Sequence, residues 1–225
     1  MKVTWLGQAG LLFETQTLKI MVDPYLSNSV EKIQPKFYRR VPVDESLLKI
    51  KPNVIILTHD HLDHTDPETL KHYLTEDSNV LVLASFNAWN TARKFGGNNN
   101  YVTFNRLTEW TENGVRFKAV YAEHSDLYAV GVLIYAENKV YYVTGDTLYN
   151  DKIFEDLPEK IDYVFLPING VGNNMNFIDG EKFCRKLNAK AIPLHCGLFD
   201  EKKLKDFPYP NKVVPEFYKE ICLGE

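Results

Sequence analysis

The 225 residues predict a mixed α/β (α+β) chain folded as a four-layer αββα sandwich, with two sheets face to face and helices on the outside. Three features carry this expectation. Short apolar runs of strand length recur in two strand-rich halves, helix-start signals lie between them, and residues with metal-binding side chains close several of the runs.

The first half opens with three runs rich in apolar and β-branched residues, Val3 to Leu6, Leu11 to Glu14 and Leu18 to Val22, the last followed by Asp23. From Tyr25 to Val43 no period is visible. A connection of this length reads either as an active-site lid or as a solvated basic loop, since it carries Lys32, Lys36, Arg39 and Arg40 beside Phe37 and Tyr38. Val54 to Leu57 is a continuous apolar strand. Asp66 and Pro67, with Glu68 in the first turn, mark an N-cap and first helical position, so a helix starts there and carries Leu70, Tyr73 and Leu74 inward. A strand at Val80 to Ala84 and a helix from Asn87 to Lys94 complete the half, which ends in the turn Gly96 to Asn100. The second half holds strands at Val115 to Ala122, Val130 to Tyr135, Val140 to Val143 and Tyr163 to Leu166, with Asn138-Lys139 as a hairpin turn. A helix from Asp179 to Leu187 then leads into the strand that ends at His195. With no repeat or low-complexity linker between them, the halves are expected to form one domain, residues 1–225.

A composition 44% hydrophobic and 13% aromatic supplies one substantial core. No apolar run reaches the length that crosses a bilayer, and the amino terminus begins as a strand without signal-peptide character, so a cytoplasmic protein is expected. Cys184, Cys196 and Cys222 lack metal-ligand or redox spacing, in keeping with a reducing compartment; Cys196, beside His195, reads as a small buried apolar residue. A net charge of −4 gives no general attraction to nucleic acid or anionic membrane. The expected partner is a small molecule, with homo-oligomerisation left open.

The strongest chemical signal follows the strand ending at Leu57. His59, Asp60, His61, Leu62, Asp63 and His64 place five candidate metal ligands or proton carriers in six residues. If the strand continues, alternation puts His59 and His61 on one side, where both imidazoles reach a single cation, while Asp60 alternates away as a hydrogen-bonding residue of the loop. Asp63 and His64 fall in the turn before the Asp66-capped helix, an offset that suits two adjacent ions. Further candidates recur at strand ends, where loops converge over one edge of a sheet: Asp23, His124, Asp146 and His195. His72, on the predicted helix, reads as an ordinary surface or core histidine. Asn169 to Asn176 includes Gly170, Gly172 and four asparagines, suited to an oxyanion or a hydroxyl-rich ligand or else to plain turn chemistry.

On the H-x-H-x-D-H run, followed in order by the later His, Asp and His, the chain resembles the metallo-β-lactamase-fold hydrolases. Trp5 to Gly10, Asp23 to Ser27, Leu166 to Gly170 and Gly172 to Asn176 are similar to the branch containing L-ascorbate-6-phosphate lactonase. The resemblance implies the αββα sandwich and a ligand set: His59, His61 and His124 on a first cation, Asp63, His64 and His195 on a second, Asp146 bridging them, and Asp23 orienting a ligand histidine. Asp146 stands where thiol-using β-lactamases carry a cysteine, which argues for lactonase or phosphodiesterase chemistry and against antibiotic hydrolysis. Imidazole and carboxylate ligands without thiolate fit zinc, manganese or iron, and the lactonase branch implies two divalent ions, manganese or zinc.

The expected activity is hydrolysis of a lactone or related ester on a phosphorylated, sugar-like substrate by a metal-bound hydroxide. Asp63 would orient the nucleophile or accept its proton, and Asp146 would keep the ions together. Arg39 and Arg40, with Asn169, Asn174 and Asn176, are the expected contacts to an anionic substrate. A phosphodiesterase is the alternative, and a non-catalytic metal-binding sensor or interaction protein is the alternative of another class.

Overall fold

In a computed structural model of the chain, described for residues 1–195 and 201–224, two six-stranded sheets form the centre of the molecule. The first runs β1 (Lys2–Gly7), β2 (Gly10–Glu14), β3 (Lys19–Val22), β4 (Val54–Leu57), β5 (Leu81–Ala84), β6 (Asn100–Thr103), antiparallel as far as β3 and parallel from there. The second places β7 (Glu109–Glu112), β8 (Val115–Tyr121), β9 (Val130–Ala136) and β10 (Lys139–Val143) in antiparallel order. It then adds β11 (Tyr163–Pro167) and β12 (Lys190–Leu194) in parallel.

The period-2 alternation of the strands sorts their side chains between two faces. Ile20, Val22, Val54 and Ile56 point into the space between the sheets, with Phe13 set edge-on to Phe165 of the opposite sheet at 5.4 Å between ring centroids. Their neighbours Met21, Ile55 and Leu57 face outward onto Leu70, Tyr73, Leu74 and Ala88. Both faces being covered explains why β4 and β5 read as unbroken apolar runs. Helix α2 (Pro67–Leu70) begins as expected, with Asp66 accepting the N–H groups of Glu68 and Thr69, and α3 (Phe86–Ala92) lies beside it on the same outer layer. On the far side α4 (Phe177–Leu187) brings Phe183 to 6.3 Å from Tyr142, so the layers are αββα. No helix of the described residues is long and apolar enough to cross a membrane.

The differences from expectation fall in polar or very short elements. The aperiodic stretch after Tyr25 contains α1 (Ser29–Ile33), only five residues long and burying Ser29 alone, too short to display a helical period. The turn at Gly96 and Gly97, both at positive φ, does not close the first sheet: β6 follows it, and β6 and β7 are polar edge strands that bury no fully apolar face. Glu137 and Asn138, both at positive φ, form the hairpin turn one residue earlier than Asn138-Lys139. Helix α4 starts at Phe177 and not at Asp179, because Asn176 caps it through Ile178 N–H and Asp179 N–H. Cys184 is buried, Cys222 is exposed, and Cys196 lies outside the described residues.

An ion pair anchors the end of β8 close to the site. Arg106 grips Asp156 with two hydrogen bonds, of 2.7 and 2.8 Å, and Asp156 also accepts the backbone N–H of Tyr121 at 2.8 Å. Burial would raise the Asp156 carboxyl, but the guanidinium and the Tyr121 N–H outweigh it and hold the carboxyl below its ordinary range. A depressed folded-state pKa stabilises the fold above the unfolded value and loses that contribution as pH falls through the folded one. Asp156→Asn is therefore expected to cost about 1–3 kcal/mol at neutral pH. The deficit should begin to shrink below about pH 4, where the carboxyl of the unfolded chain takes up its proton, and vanish only below the depressed folded-state value; urea unfolding of both proteins at pH 7 and pH 3 checks this.

Candidate metal centre

The parallel runs of β3, β4, β10 and β12, with β8 pointing the same way as β10, bring the carboxyl ends of strands from both sheets to one edge of the sandwich. Asp23 follows β3 at φ 44° and is fully buried. Its Oδ1 accepts the Thr58 N–H at 2.8 Å, while its Oδ2 accepts the Thr58 hydroxyl at 2.6 Å and lies 2.8 Å from His64 Nδ1. The Thr58 hydroxyl, having donated its only proton to Asp23, is left to accept from His59 Nδ1 at 3.0 Å. His59 thus carries its proton on Nδ1 and presents the lone pair of Nε2 inward, and the bond from His64 Nδ1 to Asp23 does the same for His64. The turn between them closes through the N–H groups of His64 and Thr65 on the His61 carbonyl and the Thr65 hydroxyl on the His59 carbonyl.

The other sheet supplies the remainder. Asp146 follows Gly145 at φ 61°, where a Cβ would come within 2.8 Å of the Val130 carbonyl, so only glycine makes the turn that presents the carboxylate. Asn174 Nδ2 donates to Asp146 Oδ2 at 2.7 Å, and the Asp126 N–H lies 2.9 Å from Nδ1 of His124. His195 closes β12 at φ 48°. Two groups result, His59 with His61, His124 and Asp146, and Asp63 with His64 and His195, each with its ligand-type atoms within 4.8 Å of one another. Asp146 joins them: its Oδ1 is 3.2 Å from His64 Nε2 and its Oδ2 is 3.8 Å from His195 Nε2, which is itself 3.2 Å from Asp63. Asp23 lies within reach of His59 and His64 as well, but its oxygens are already engaged by Thr58 and His64.

The donor set fits divalent cations. Nε2 of His59, His64 and His124 and Oδ1 of Asp146 are all buried without a hydrogen-bond partner, and an orphaned polar atom of this kind is costly unless something fills the space it faces. Burial, reinforced by His64, pushes His59 well below the usual imidazole range, and burial with His61 brings His124 to about 4, so both rings are neutral, His59 with a free Nε2 lone pair and His124 with its Nδ1 accepting the Asp126 N–H. Burial opposes the charged forms of Asp63 and Asp146, yet the surrounding imidazoles keep both carboxyls ionised. Burial likewise opposes charge on His64 and His195, and the neighbouring carboxylates, Asp146 first among them, raise both; a cation displaces protons from these two rings.

A cavity of about 420 Å³ opens onto this cluster. Its floor is His61, Asp63, Asp146 and His195; one wall is Val30, Ile33, Gln34 and Phe37, and the other comes from the stretch between Asn169 and Asn174, with Gln8 and Leu62 between. The long connection therefore does cover the site, but its cations do not. Arg39 donates to the Tyr25 carbonyl at 2.8 Å and to the Tyr218 hydroxyl at 2.9 Å, Lys32 pairs with Glu68, and Arg40 is exposed outside the cavity lining. Arg39 and Arg40, expected as substrate contacts, are thus not among the residues that line the cavity. Asn176 also lies outside that lining, with its Oδ1 used as the α4 cap. Asn169 and Asn174 line the cavity, Asn169 with its Oδ1 turned to the Val171 N–H. Asp60 and His72 are exposed and belong to neither group. Thr58, Gln8 and the apolar side chains Val30, Ile33 and Val171 were not among the expected site residues, although Gln8 lies in the stretch Trp5 to Gly10 and the wall in the connection read as a lid.

A family model described as the Beta-lactamase superfamily domain matches residues 2–195. Over 218 residues the chain is 27% identical to a UPF0173 metal-dependent hydrolase of Geobacillus thermodenitrificans, covering 88% of this chain and 87% of that one. Among solved structures, a possible metal-dependent hydrolase from Veillonella parvula is similar in fold with a TM-score of 0.79, at 17% identity over 98% of both chains. An isothiocyanate hydrolase from Delia radicum gut bacteria is similar at a TM-score of 0.73 and 18% identity, again over 98% of both chains.

Proposed function

We propose, from the premise that this chain belongs to the Beta-lactamase superfamily and is a metal-dependent hydrolase, that it opens a lactone or related ester with two divalent cations, manganese or zinc. The observation that carries the reading is the set of four buried, unpartnered ligand atoms on His59, His64, His124 and Asp146. His59, His61 and His124 would hold one cation and Asp63, His64 and His195 the other, with Asp146 between them. Such a pair, when bound, lowers the pKa of water and polarises the carbonyl under attack.

The chain's own residues do the rest. Asp23 aims His64 through Nδ1, Thr58 fixes the His59 tautomer, and Asn174 keeps the Asp146 carboxylate from rotating. Asp63 lines the cavity, where its carboxylate orients the attacking water or accepts its proton. The phosphorylated sugar expected from the sequence loses its support here, since no lysine or arginine lines the cavity among the described residues.

Elemental analysis after reconstitution with excess Mn²⁺ or Zn²⁺ is expected to find two ions per chain, and the loaded protein is expected to cleave 4-nitrophenyl esters and simple lactones faster than bis(4-nitrophenyl) phosphate. A single ion per chain would defeat the dinuclear assignment. Preference for the phosphodiester would defeat the ester assignment.

A further inference from the structure

The cavity has a lopsided chemistry. Its metal-facing floor is polar, yet five of its lining side chains are apolar: Val30, Ile33, Phe37, Leu62 and Val171. Ile33 and Val171 remain 71% and 50% exposed although both border the cavity. A lone exposed isoleucine needs no explanation, whereas apolar side chains gathered from three separate segments around one cleft mark a binding surface.

The segment carrying Val30, Ile33 and Phe37 is also held in place. At its start Tyr25 is buried and its hydroxyl accepts the Val30 N–H at 3.2 Å; near its end Arg39 ties the Tyr25 carbonyl to Tyr218, whose hydroxyl donates to the Pro42 carbonyl at 2.9 Å. The tie holds the apolar side chains over the cleft while Lys32 reaches away to Glu68. Near the polar floor, Gln8 is only 4% exposed, sits at φ 50°, and has an unpartnered Oε1. Asn174 spends its Nδ2 on Asp146, and its Oδ1 is likewise buried and unpartnered. Two carboxamide oxygens free to accept suit a neutral N–H or O–H donor on the ligand and repel an anion.

We infer that the substrate is an uncharged ester or lactone bearing an apolar alkyl or aryl arm, the arm lying along Ile33, Phe37 and Val171, the reacting carbonyl at the metal cluster, and a neutral N–H or O–H of the substrate facing the free oxygens of Gln8 and Asn174. This rests on the hydrolytic reading above and adds the substrate class to it.

Two homologous series test it on the manganese-reconstituted protein. In the first, kcat/KM is measured for 4-nitrophenyl acetate through octanoate; in the second, calorimetry gives the affinity of the neutral straight-chain primary amides acetamide through octanamide. Both are expected to rise by about two- to fourfold per methylene until the arm outgrows the cavity. In Ile33→Ala and Phe37→Ala the ratio of the eight-carbon to the two-carbon member is expected to fall about fivefold in each series, with Ile33→Leu restoring it. Affinity that rises with chain length while no ester is cleaved would remove the proposed reaction and leave the apolar-arm inference standing. Ester cleavage with no dependence on chain length in either series would overturn the inference and leave the hydrolase reading intact. Preference for a phosphorylated sugar lactone over its unphosphorylated counterpart would overturn it equally.

Discussion

Asp146→Asn is expected to lower ester or lactone hydrolysis by about a thousandfold or more at saturating metal, as removal of roughly 4 kcal/mol of transition-state stabilisation requires. The substitution keeps the shape of the side chain and leaves an oxygen for the Asn174 amide to bond, so it removes little besides the negative charge. That charge lies 3.2 Å from His64 and 3.8 Å from His195, between the two donor groups. Under the proposed dinuclear assignment, two cations would repel one another undiminished without it, and the second would bind poorly. Because Asp146 is not part of either hydrophobic cluster, thermal unfolding of the chelator-treated protein should change by only a few degrees. Hydrolysis within tenfold of wild type, on a protein shown to be folded, would remove Asp146 from the centre of the mechanism.

Asp23→Ala is expected to act on metal and fold together. Three hydrogen bonds end on this carboxylate, two from Thr58 and one from His64, and Thr58 is fully buried. Losing the partner of His64 Nδ1 frees the ring's orientation and tautomer, with an expected ten- to hundredfold loss in affinity for the cation that His64 is proposed to hold. Leaving the Thr58 N–H without an acceptor adds about 1–3 kcal/mol of destabilisation that does not depend on metal. Calorimetric metal titration and unfolding in the presence of chelator separate the two effects. An unchanged affinity for both cations would make Asp23 a purely structural acceptor.

The ligand run was readable in sequence because its information is local. The strand into Leu57, the closely spaced histidines and the Asp66 cap with Pro67 each act over a few residues; the structure places His59 and His61 in one group of ligand-type atoms and His64 in the adjoining one. The strands buried on both faces were equally visible, since Val54 to Leu57 can only be apolar throughout when helices cover one side and a second sheet the other. The edge strands β6 and β7 were not visible, because they carry exposed polar residues such as Asn100 and Glu109 and bury no fully apolar face. Nor was α1, whose five residues complete little more than one turn.

Charge by itself does not fix direction. Arg39 has the chemistry of a phosphate clamp, but its partner Tyr218 is 179 residues away, and no local pattern announces that pairing. Asn176 offers the same amide as Asn174, yet two residues decide that one caps a helix and the other holds Asp146. The kinds of donor and their places at strand ends were therefore determined by sequence alone, because spacing along a strand and capping at a helix start are short-range matters. Whether those donors meet, in two groups joined by one carboxylate, and whether the wall above them is basic or apolar, were decided only by the tertiary structure. Convergence depends on the common direction of strands from two different sheets, and the facing of a loop side chain depends on partners that the chain supplies from far along its length.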